Sequence, residues 1–151
     1  MLRGGEADAP EGRRIMPEDV NILVVDDDPL LREIAVEMLR NAGYRCRTAE
    51  DGDVAVRRLH QAPADLVVLD VIMPNREGIE TLREIRRLWP ATRVIMISSG
   101  ARVMPADSLL KTAMALGADA AVIKPLREAE FIPLVARLLA EPSAPRNTHS
   151  A

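Results

Sequence analysis

The sequence predicts a single α/β domain in which helices cover both faces of a parallel sheet. Apolar runs of strand length recur without a clean polar alternation, and segments with helical spacing of apolar residues separate them. Strand and helix alternate five times, an order that implies right-handed βαβ crossovers and therefore parallel strands. A length of 151 residues with 48% apolar and 28% charged content suits one globular domain.

The strands are predicted from runs that suit burial on both faces, and the run at 44–48 is the weakest of them. The predicted strands span residues 21–25, 44–48, 65–69, 93–97 and 119–123.

The helices are predicted from apolar residues that recur on one face between the strands. Asp28 followed by Pro29 predicts an N-cap and a first-turn proline, and Gly43 and Gly117 mark predicted helix ends. The residues that define the helical faces are Leu31, Ile34, Ala35, Met38 and Leu39; Val54, Val56 and Leu59; Ile79, Leu82, Ile85 and Leu88; Leu110, Ala113 and Met114; and Phe131, Val135, Leu138 and Leu139.

We expect residues 20–140 to form the folded domain. Residues 1–19 and 141–151 are rich in Pro, Gly, Ser and charge, which predicts a flexible N-terminal extension and a flexible C-terminal tail. The first segment has no apolar signal-peptide core, and no apolar run approaches the ~20 residues of a membrane span. The sequence therefore predicts a cytoplasmic protein without a membrane partner.

Charge and cysteine content exclude several classes of function. A net charge of −3 and the absence of a basic cluster argue against direct binding to nucleic acid. Cys46 is the only cysteine, so disulfide frameworks and thiolate metal sites are excluded. It lies in an apolar stretch and is interpreted as a small core residue.

Carboxylates follow two of the predicted strands at their carboxyl ends, the edge where open parallel sheets bind ligands. Asp26, Asp27 and Asp28 follow the first strand, and Asp70 follows the third. Asp28 is accounted for as a helix cap, and Asp26 or Asp70 alone could be a turn or strand-end acid. Together Asp26, Asp27 and Asp70 offer hard oxygen ligands that suit Mg²⁺, whose charge would offset their mutual repulsion.

A hydroxyl and an amine follow the fourth and fifth predicted strands, as Ser98 and Lys124. Either alone could be structural, as a small turn residue or a solvated cation, but separate coincidences would have to bring both to the acidic edge. A carboxylate beside a metal can attack phosphorus and form an acyl phosphate. Lys124 would then neutralise charge on the phosphoryl oxygens, and Ser98 would donate a hydrogen bond to one of them.

These residues, in this order, resemble the receiver domain of two-component response regulators. The resemblance runs from Asn21 to about residue 140 and rests on the segments ILVVDDDP, AEDGDVAV, LVVLDVIMPNREGIE, VIMISS and GADAAVIKP. It implies a three-layer flavodoxin-like (βα)5 fold with five parallel strands. Because few residues follow the last predicted helix, we expect a stand-alone receiver without a DNA-binding domain.

The resemblance also implies the roles of the site residues. Asp70 matches the phosphoacceptor, and Asp26 and Asp27 match the acidic pair that binds Mg²⁺ with Asp70. The backbone carbonyl of Ile72 matches the remaining protein ligand of the metal.

Ser98 matches the switch hydroxyl and Lys124 the site lysine, whose bond to Pro125 is usually cis in the family. The implied donor is a phosphohistidine on a sensor histidine kinase or a histidine phosphotransfer protein, and the acyl phosphate is later hydrolysed. The receiver catalyses its own modification and is not a turnover enzyme. Output to an unidentified protein target would use the face of helix four, strand five and helix five, where a homodimer is a further option without a sequence signal of its own.

Two departures from the family pattern affect these expectations. Ala121 stands where the family often has an aromatic switch residue, and the interval between Ser98 and Lys124 is longer than usual. We expect the loop at 99–108 to replace the aromatic as the moving element. Ile72 and Gly100 stand where side chains set the hydrolysis rate, and neither can orient a water, which predicts a long-lived acyl phosphate.

Other functions agree less well with the sequence. Aspartyl-phosphate hydrolases need a second acid, but Val71 and Ile72 follow Asp70, and no glycine-rich phosphate loop follows the first strand. A receiver-like interaction module that takes no phosphate stays open as the main alternative. His60 and His149 are interpreted as surface residues rather than phosphohistidine carriers. Four arginines are expected on solvated helix faces: Arg57, Arg58, Arg86 and Arg87.

Overall fold

The computed structural model describes residues 16–71, 73, 78–98 and 105–142, apart from the side chains of Ala106 and Leu109. The strands are β1 (Asn21–Val25), β2 (Arg45–Ala49), β3 (Leu66–Asp70), β4 (Arg93–Ser98) and β5 (Ala120–Ile123). The helices are α1 (Pro29–Asn41), α2 (Gly52–Gln61), α3 (Gly78–Leu88), α4 (Ala106–Ala115) and α5 (Glu128–Ala140), and a 3-10 turn, Pro17–Asp19, precedes β1.

All five strands are parallel and lie in the order β2-β1-β3-β4-β5. This is the strand order of flavodoxin-like sheets, so the predicted three-layer fold is confirmed. Each predicted strand begins and ends within one residue of the observed one. The predicted flexible segments 1–19 and 141–151 lie largely outside the described residues, and their flexibility stays a prediction.

The sheet separates two apolar layers because successive strand residues point to opposite faces. In β1, Ile22 and Val24 pack with α1 and α5, whereas Leu23 and Val25 pack with α2, α3 and α4. These four side chains are fully buried, and each such burial stabilises the fold by roughly 1.5–3 kcal/mol. The edge strand β2 is less covered, which agrees with its weaker apolar run.

Local signals in the sequence set the ends of α1. Asp28 Oδ1 accepts a hydrogen bond from the backbone N–H of Leu30 at 3.0 Å, and Pro29 occupies the first turn, as predicted. After the helix, Gly43 has a φ of 98°, a left-handed conformation that glycine adopts at little cost. The predicted cap and the predicted stop are both confirmed.

Arg86 does not lie on a solvated helix face, and this prediction is wrong. Its guanidinium donates hydrogen bonds to the carbonyl oxygens of Gly117 at 2.7 Å and Thr92 at 2.6 Å, and to Asp119 at 2.7 Å. Only 12% of the Arg86 side chain is exposed, because the last turn of α3 lies against the loops that lead into β4 and β5. Arg87, on the outer side of the same turn, is exposed as predicted.

The prediction that the arginines of α2 are solvated is confirmed for Arg57, which is exposed, and only in part for Arg58, which is half-buried. Arg47 from β2 donates hydrogen bonds to the carbonyl oxygens of Arg58 at 3.1 Å and Ala62 at 2.6 Å. A cation at the last carbonyl oxygens of a helix interacts favourably with the helix dipole. Across the described ranges, no helix is both long enough and apolar enough to traverse a bilayer.

Candidate functional site

Neighbouring strands bring three carboxylates together at the carboxyl edge of the sheet. Asp26 follows β1 and Asp70 ends β3, and the register of these strands pairs Val25 with Leu69 just before them. Asp26, Asp27 and Asp70 each offer an oxygen that lies within 4.8 Å of the other two. Asp26 and Asp70 are buried, whereas Asp27 is exposed. The structure thus assembles the acidic cluster that the sequence predicted as a metal site.

Lys124 reaches the same cluster from the end of β5. Its Nζ lies 3.2 Å from Asp26 Oδ2 and 3.5 Å from Asp70 Oδ2, with 20% of its side chain exposed. Burial alone would lower the pKa of Lys124, but the charges of Asp70 and Asp26 outweigh it and raise that pKa above its usual value. The side chain is therefore an ammonium held between two carboxylates.

Burial affects the ionisation of Asp26. Burial raises the pKa of Asp26, although the backbone N–H of Asp28, which donates to Oδ1 at 2.8 Å, and the Lys124 charge both oppose that rise. The other oxygen, Oδ2, is buried, and Lys124 Nζ is its ion-pair partner at 3.2 Å.

The charge balance of the cluster suits a bound cation. The three carboxylates and one ammonium leave a formal excess of two negative charges, which a divalent cation would balance. All the ligand atoms are hard oxygens, the donor type that Mg²⁺ prefers in proteins. The residues present therefore fit Mg²⁺.

Ser98 lies next to Lys124 at this edge. It ends β4, is 1% exposed, and its carbonyl oxygen accepts a hydrogen bond from the backbone N–H of Lys124 at 2.8 Å. On the other side, the N–H of Val71 donates to the carbonyl oxygen of Ile97 at 2.9 Å. The ends of β3, β4 and β5 are thus joined through their backbones, which fixes Ser98 between Asp70 and Lys124 in the strand order.

Some predicted features fall on residues that the structure does not describe. These are the backbone carbonyl of Ile72, Gly100, and most of the loop at 99–108. Ala121, at the expected position of the aromatic switch, is half-buried in β5. The bond between Lys124 and Pro125 is cis, as the resemblance implied.

Two residues near the cluster were not found by reasoning from the sequence. Arg32 in α1 donates a hydrogen bond from Nη1 to the backbone carbonyl oxygen of Asp26 at 2.7 Å. Gly78 begins α3 so close to β3 that an added Cβ would overlap the carbonyl oxygen of Asp70. The only signals were the position of an arginine soon after the acidic run and of a glycine soon after Asp70.

Other reactive side chains lie away from the cluster. Cys46 is half-buried against the layer of α1 and α5, and burial raises its pKa to about 11, which disfavours the nucleophilic thiolate. His60 is exposed at the end of α2, with its ring edge-on to Trp89 at 4.9 Å. His149 lies outside the described residues. The interpretation of His60 as a surface residue agrees with its position, whereas Cys46, interpreted as a core residue, packs against the core from a half-buried position.

Comparisons with known proteins agree on the family that this chain resembles. A family model described as the response regulator receiver domain matches residues 22–136. The chain is 31% identical over 121 residues to the two-component response regulator ARR22 of Arabidopsis thaliana, which covers 79% of this chain and 83% of that protein. It is 35% identical over 109 residues to the sensor histidine kinase RcsC of Escherichia coli, but spans only 11% of that kinase while 72% of the chain is matched.

A solved structure shows the same arrangement of strands and helices. The receiver domain of NtrX from Brucella abortus superposes with a TM-score of 0.72 at 30% identity, covering 78% of this chain and 97% of that one.

Proposed function

The chain belongs to the response regulator receiver domain family and takes part in phosphorylation-based two-component signalling, and within that role we propose that Asp70 is its phosphoacceptor. The observation that carries the proposal is the position of Asp70, which combines an acidic partner on the neighbouring strand with Lys124 Nζ at 3.5 Å. A carboxylate alone at a strand end would have no such partners.

The proposed reaction is a transfer of a phosphoryl group from histidine to aspartate. An oxygen of the Asp70 carboxylate attacks phosphorus, the P–N bond of the phosphohistidine breaks, and the imidazole nitrogen keeps its electron pair. The product is an acyl phosphate on Asp70. Hydrolysis later returns the carboxylate when water attacks phosphorus and releases inorganic phosphate, so Asp70 acts as a phosphoacceptor rather than as part of a turnover enzyme.

Asp26, Asp27 and Asp70 would hold Mg²⁺, and the backbone carbonyl of Ile72 is proposed as a further ligand. When bound, Mg²⁺ would neutralise charge on the carboxylates and on the transferring phosphoryl oxygens. The close approach of the three carboxylates, whose charge Lys124 offsets only in part, supports this assignment.

Lys124 and Ser98 are proposed to bind the phosphoryl group. The raised pKa of Lys124 keeps its ammonium charged at neutral pH, so it can pair with a phosphoryl oxygen once Asp70 is modified. The Ser98 hydroxyl would donate to another phosphoryl oxygen. Because phosphorylation adds nearly two negative charges, movement of Ser98 toward them would shift the conformational equilibrium of the face formed by α4, β5 and α5.

The proposed partners follow from this chemistry. The donor would be a sensor histidine kinase or a histidine phosphotransfer protein, and the output would be a protein that binds the face of α4, β5 and α5, where a homodimer is an alternative. We propose the cytoplasm as the location, because kinases that make phosphohistidine draw on ATP.

The test is incubation with acetyl phosphate and Mg²⁺, followed by intact mass. The wild type should gain one phosphoryl group, and EDTA should prevent the gain. Asp70→Asn should gain none, whereas Asp107→Asn, which changes an exposed aspartate of α4, should behave as the wild type does. An unmodified wild type would favour the interaction module that takes no phosphate, and a modified Asp70→Asn would move the acceptor elsewhere.

A further inference from the structure

Arg32 has no part in the reaction described above, yet its side chain contacts the acidic cluster. It lies in the first turns of α1, half-buried, and Nη1 donates a hydrogen bond to the carbonyl oxygen of Asp26 at 2.7 Å. Within the ranges that the structure describes, no carboxylate pairs with this guanidinium. The guanidinium of Arg32 therefore binds a backbone carbonyl oxygen next to the proposed metal site rather than an acidic side chain of the described residues.

The turn between β1 and α1 is held by a chain of hydrogen bonds. Asp26 Oδ1 accepts from the N–H of Asp28 at 2.8 Å, and Asp28 Oδ1 accepts from the N–H of Leu30 at 3.0 Å. The N–H of Arg32 donates to the carbonyl oxygen of Asp28 at 3.1 Å, so the backbone of Arg32 is fixed in the helix. Its guanidinium donates to the carbonyl oxygen of Asp26 and so connects the helix to the start of the turn.

The carbonyl that Arg32 holds belongs to the peptide unit that joins Asp26 to Asp27. Because a peptide unit is planar, fixing its oxygen also fixes the direction in which Asp27 leaves the strand. Asp27 is the exposed member of the cluster, so packing restrains its side chain less than those of Asp26 and Asp70. Its orientation toward Asp26 and Asp70 therefore depends on the backbone.

We propose that Arg32 is a positioning residue for the Mg²⁺ site, which acts by holding the peptide between Asp26 and Asp27. The inference rests on the proposed function, since it requires these aspartates to bind the metal. It assigns to a residue outside the ligand set the task of presenting the exposed ligand.

Positioning and simple charge predict opposite effects. Arg32 is a cation near the metal site, so its charge alone weakens the binding of a second cation, and removing that charge would tighten Mg²⁺ binding. Loss of the hydrogen bond to Asp26 would loosen Asp27 and weaken binding. The direction of the change in affinity therefore distinguishes the two roles.

The experiment is a calorimetric titration of the unphosphorylated protein with Mg²⁺. Arg32→Met should raise the dissociation constant about tenfold, the lower end of what loss of a ligand-orienting group costs. Arg32→Lys retains one charged donor and should recover part of the affinity. Arg40→Met removes an exposed arginine from the same helix and should leave the dissociation constant unchanged or slightly lower.

A second readout separates metal binding from chemistry. The Mg²⁺ concentration that gives half-maximal phosphorylation by acetyl phosphate should rise in Arg32→Met by the same factor as the dissociation constant, while the maximal rate falls less. Thermal unfolding in EDTA shows whether each variant is folded, and Arg32→Lys provides the test if Arg32→Met is not.

Two results would overturn the inference in different ways. Unchanged or tighter Mg²⁺ binding by folded Arg32 variants, with normal binding by the wild type, would remove the positioning role and leave the proposed function intact. Failure of the wild type itself to bind Mg²⁺ would remove the proposed function, and the positioning role with it.

Discussion

Lys124 lies between two buried carboxylates, 3.2 Å from Asp26 Oδ2 and 3.5 Å from Asp70 Oδ2. At such separations each pair attracts by roughly 5 kcal/mol at an effective dielectric constant of about 20, while desolvation costs several kcal/mol per ion. One ammonium therefore does not fully offset the burial of three charged groups and the repulsion between the two carboxylates. Without a bound cation, the site should therefore destabilise the folded protein.

Asp26→Asn should stabilise the metal-free protein at neutral pH by an amount on the order of 1 kcal/mol. Burial raises the pKa of Asp26 in the folded state, so the folded chain retains a proton that the unfolded chain releases above a pH of about 3.8. The wild type therefore loses stability as the pH rises from about 3.8 through the higher pKa of Asp26 in the folded state. Asp26→Asn has no carboxyl group at this position and does not show this loss. Urea unfolding in EDTA at a series of pH values measures the difference.

Asp27→Asn provides the matched control, because Asp27 is exposed and its replacement should change the stability less. The advantage of Asp26→Asn should disappear at low pH, where both states of the wild type are protonated. A destabilised Asp26→Asn at neutral pH would contradict this account of the site.

The start of α3 is tied to the end of β3 by a glycine. The N–H of Gly78 donates to the carbonyl oxygen of Val71 at 2.9 Å, and an added Cβ would overlap the carbonyl oxygen of Asp70. Gly78→Ala should destabilise the fold by about 2–4 kcal/mol, because backbone rather than a flexible side chain must move. Urea unfolding measures the loss.

Gly117→Ala is the comparison for this prediction. Gly117 has a φ of 111°, and an added Cβ would lie 3.3 Å from atoms of the Arg86 side chain, a tight contact but not an overlap. We expect a cost of about 1–2 kcal/mol from the left-handed conformation alone. If Gly78→Ala were the milder of the two, the close approach of α3 to Asp70 would be wrong.

Two arginines and one aspartate connect helices and strands at the amino edge of the sheet, opposite the acidic cluster. Asp119 accepts from Arg86 at 2.7 Å and from Arg93 at 3.3 Å, and all three side chains are nearly buried. Asp119→Asn leaves two guanidiniums without their acid and should cost about 3 kcal/mol. Urea unfolding should detect the loss, while the affinity for Mg²⁺ stays at the wild-type value.

The exposed pair of Arg87 and Glu84, 2.8 Å apart, serves as the control. Glu84→Gln should change the free energy of unfolding by less than about 1 kcal/mol, because solvent screens this pair. A weakened affinity for Mg²⁺ in Asp119→Asn would show that the two edges of the sheet are coupled.

Particular elements show what could and could not be predicted from the sequence. The buried strands β1, β3 and β4 were predicted to within one residue, because burial on both faces leaves an apolar run that few other elements produce. Asp28 was predicted as a cap from local chemistry. The partners of Arg86 were missed, because helical spacing assigns a face but not the loops that fold against it.

At the scale of the whole molecule, the buried ion pairs of Asp119 and the acidic cluster lie at opposite edges of the sheet. The residues at the carboxyl edge of the sheet could be predicted once the strands were predicted to be parallel, because every parallel strand ends at that edge. The grouping of Asp26, Asp70 and Lys124 could therefore be predicted from the sequence. The roles of Arg32 and Gly78 depend on tertiary approach of α1 and α3 to the strand ends, which no local pattern encodes.

The lifetime of the modified protein is a property of the whole site, and it stays a prediction because Ile72 and Gly100 lie outside the described residues. We expect the acyl phosphate to persist for minutes or longer, since neither side chain can orient a water. Ile72→Asn supplies an amide that can, and should shorten the lifetime. Loss of the phosphoryl group within seconds in the purified wild type would contradict the expectation.

We propose that the acidic edge of the sheet directs phosphorylation to Asp70. Borohydride reduction of the modified protein converts an acyl phosphate to homoserine, and peptide mass spectrometry then identifies its position. We expect homoserine at position 70 alone, formed only in reactions that contained Mg²⁺. Homoserine at position 26 or 27, or the same yield at position 70 after phosphorylation in EDTA, would contradict the account.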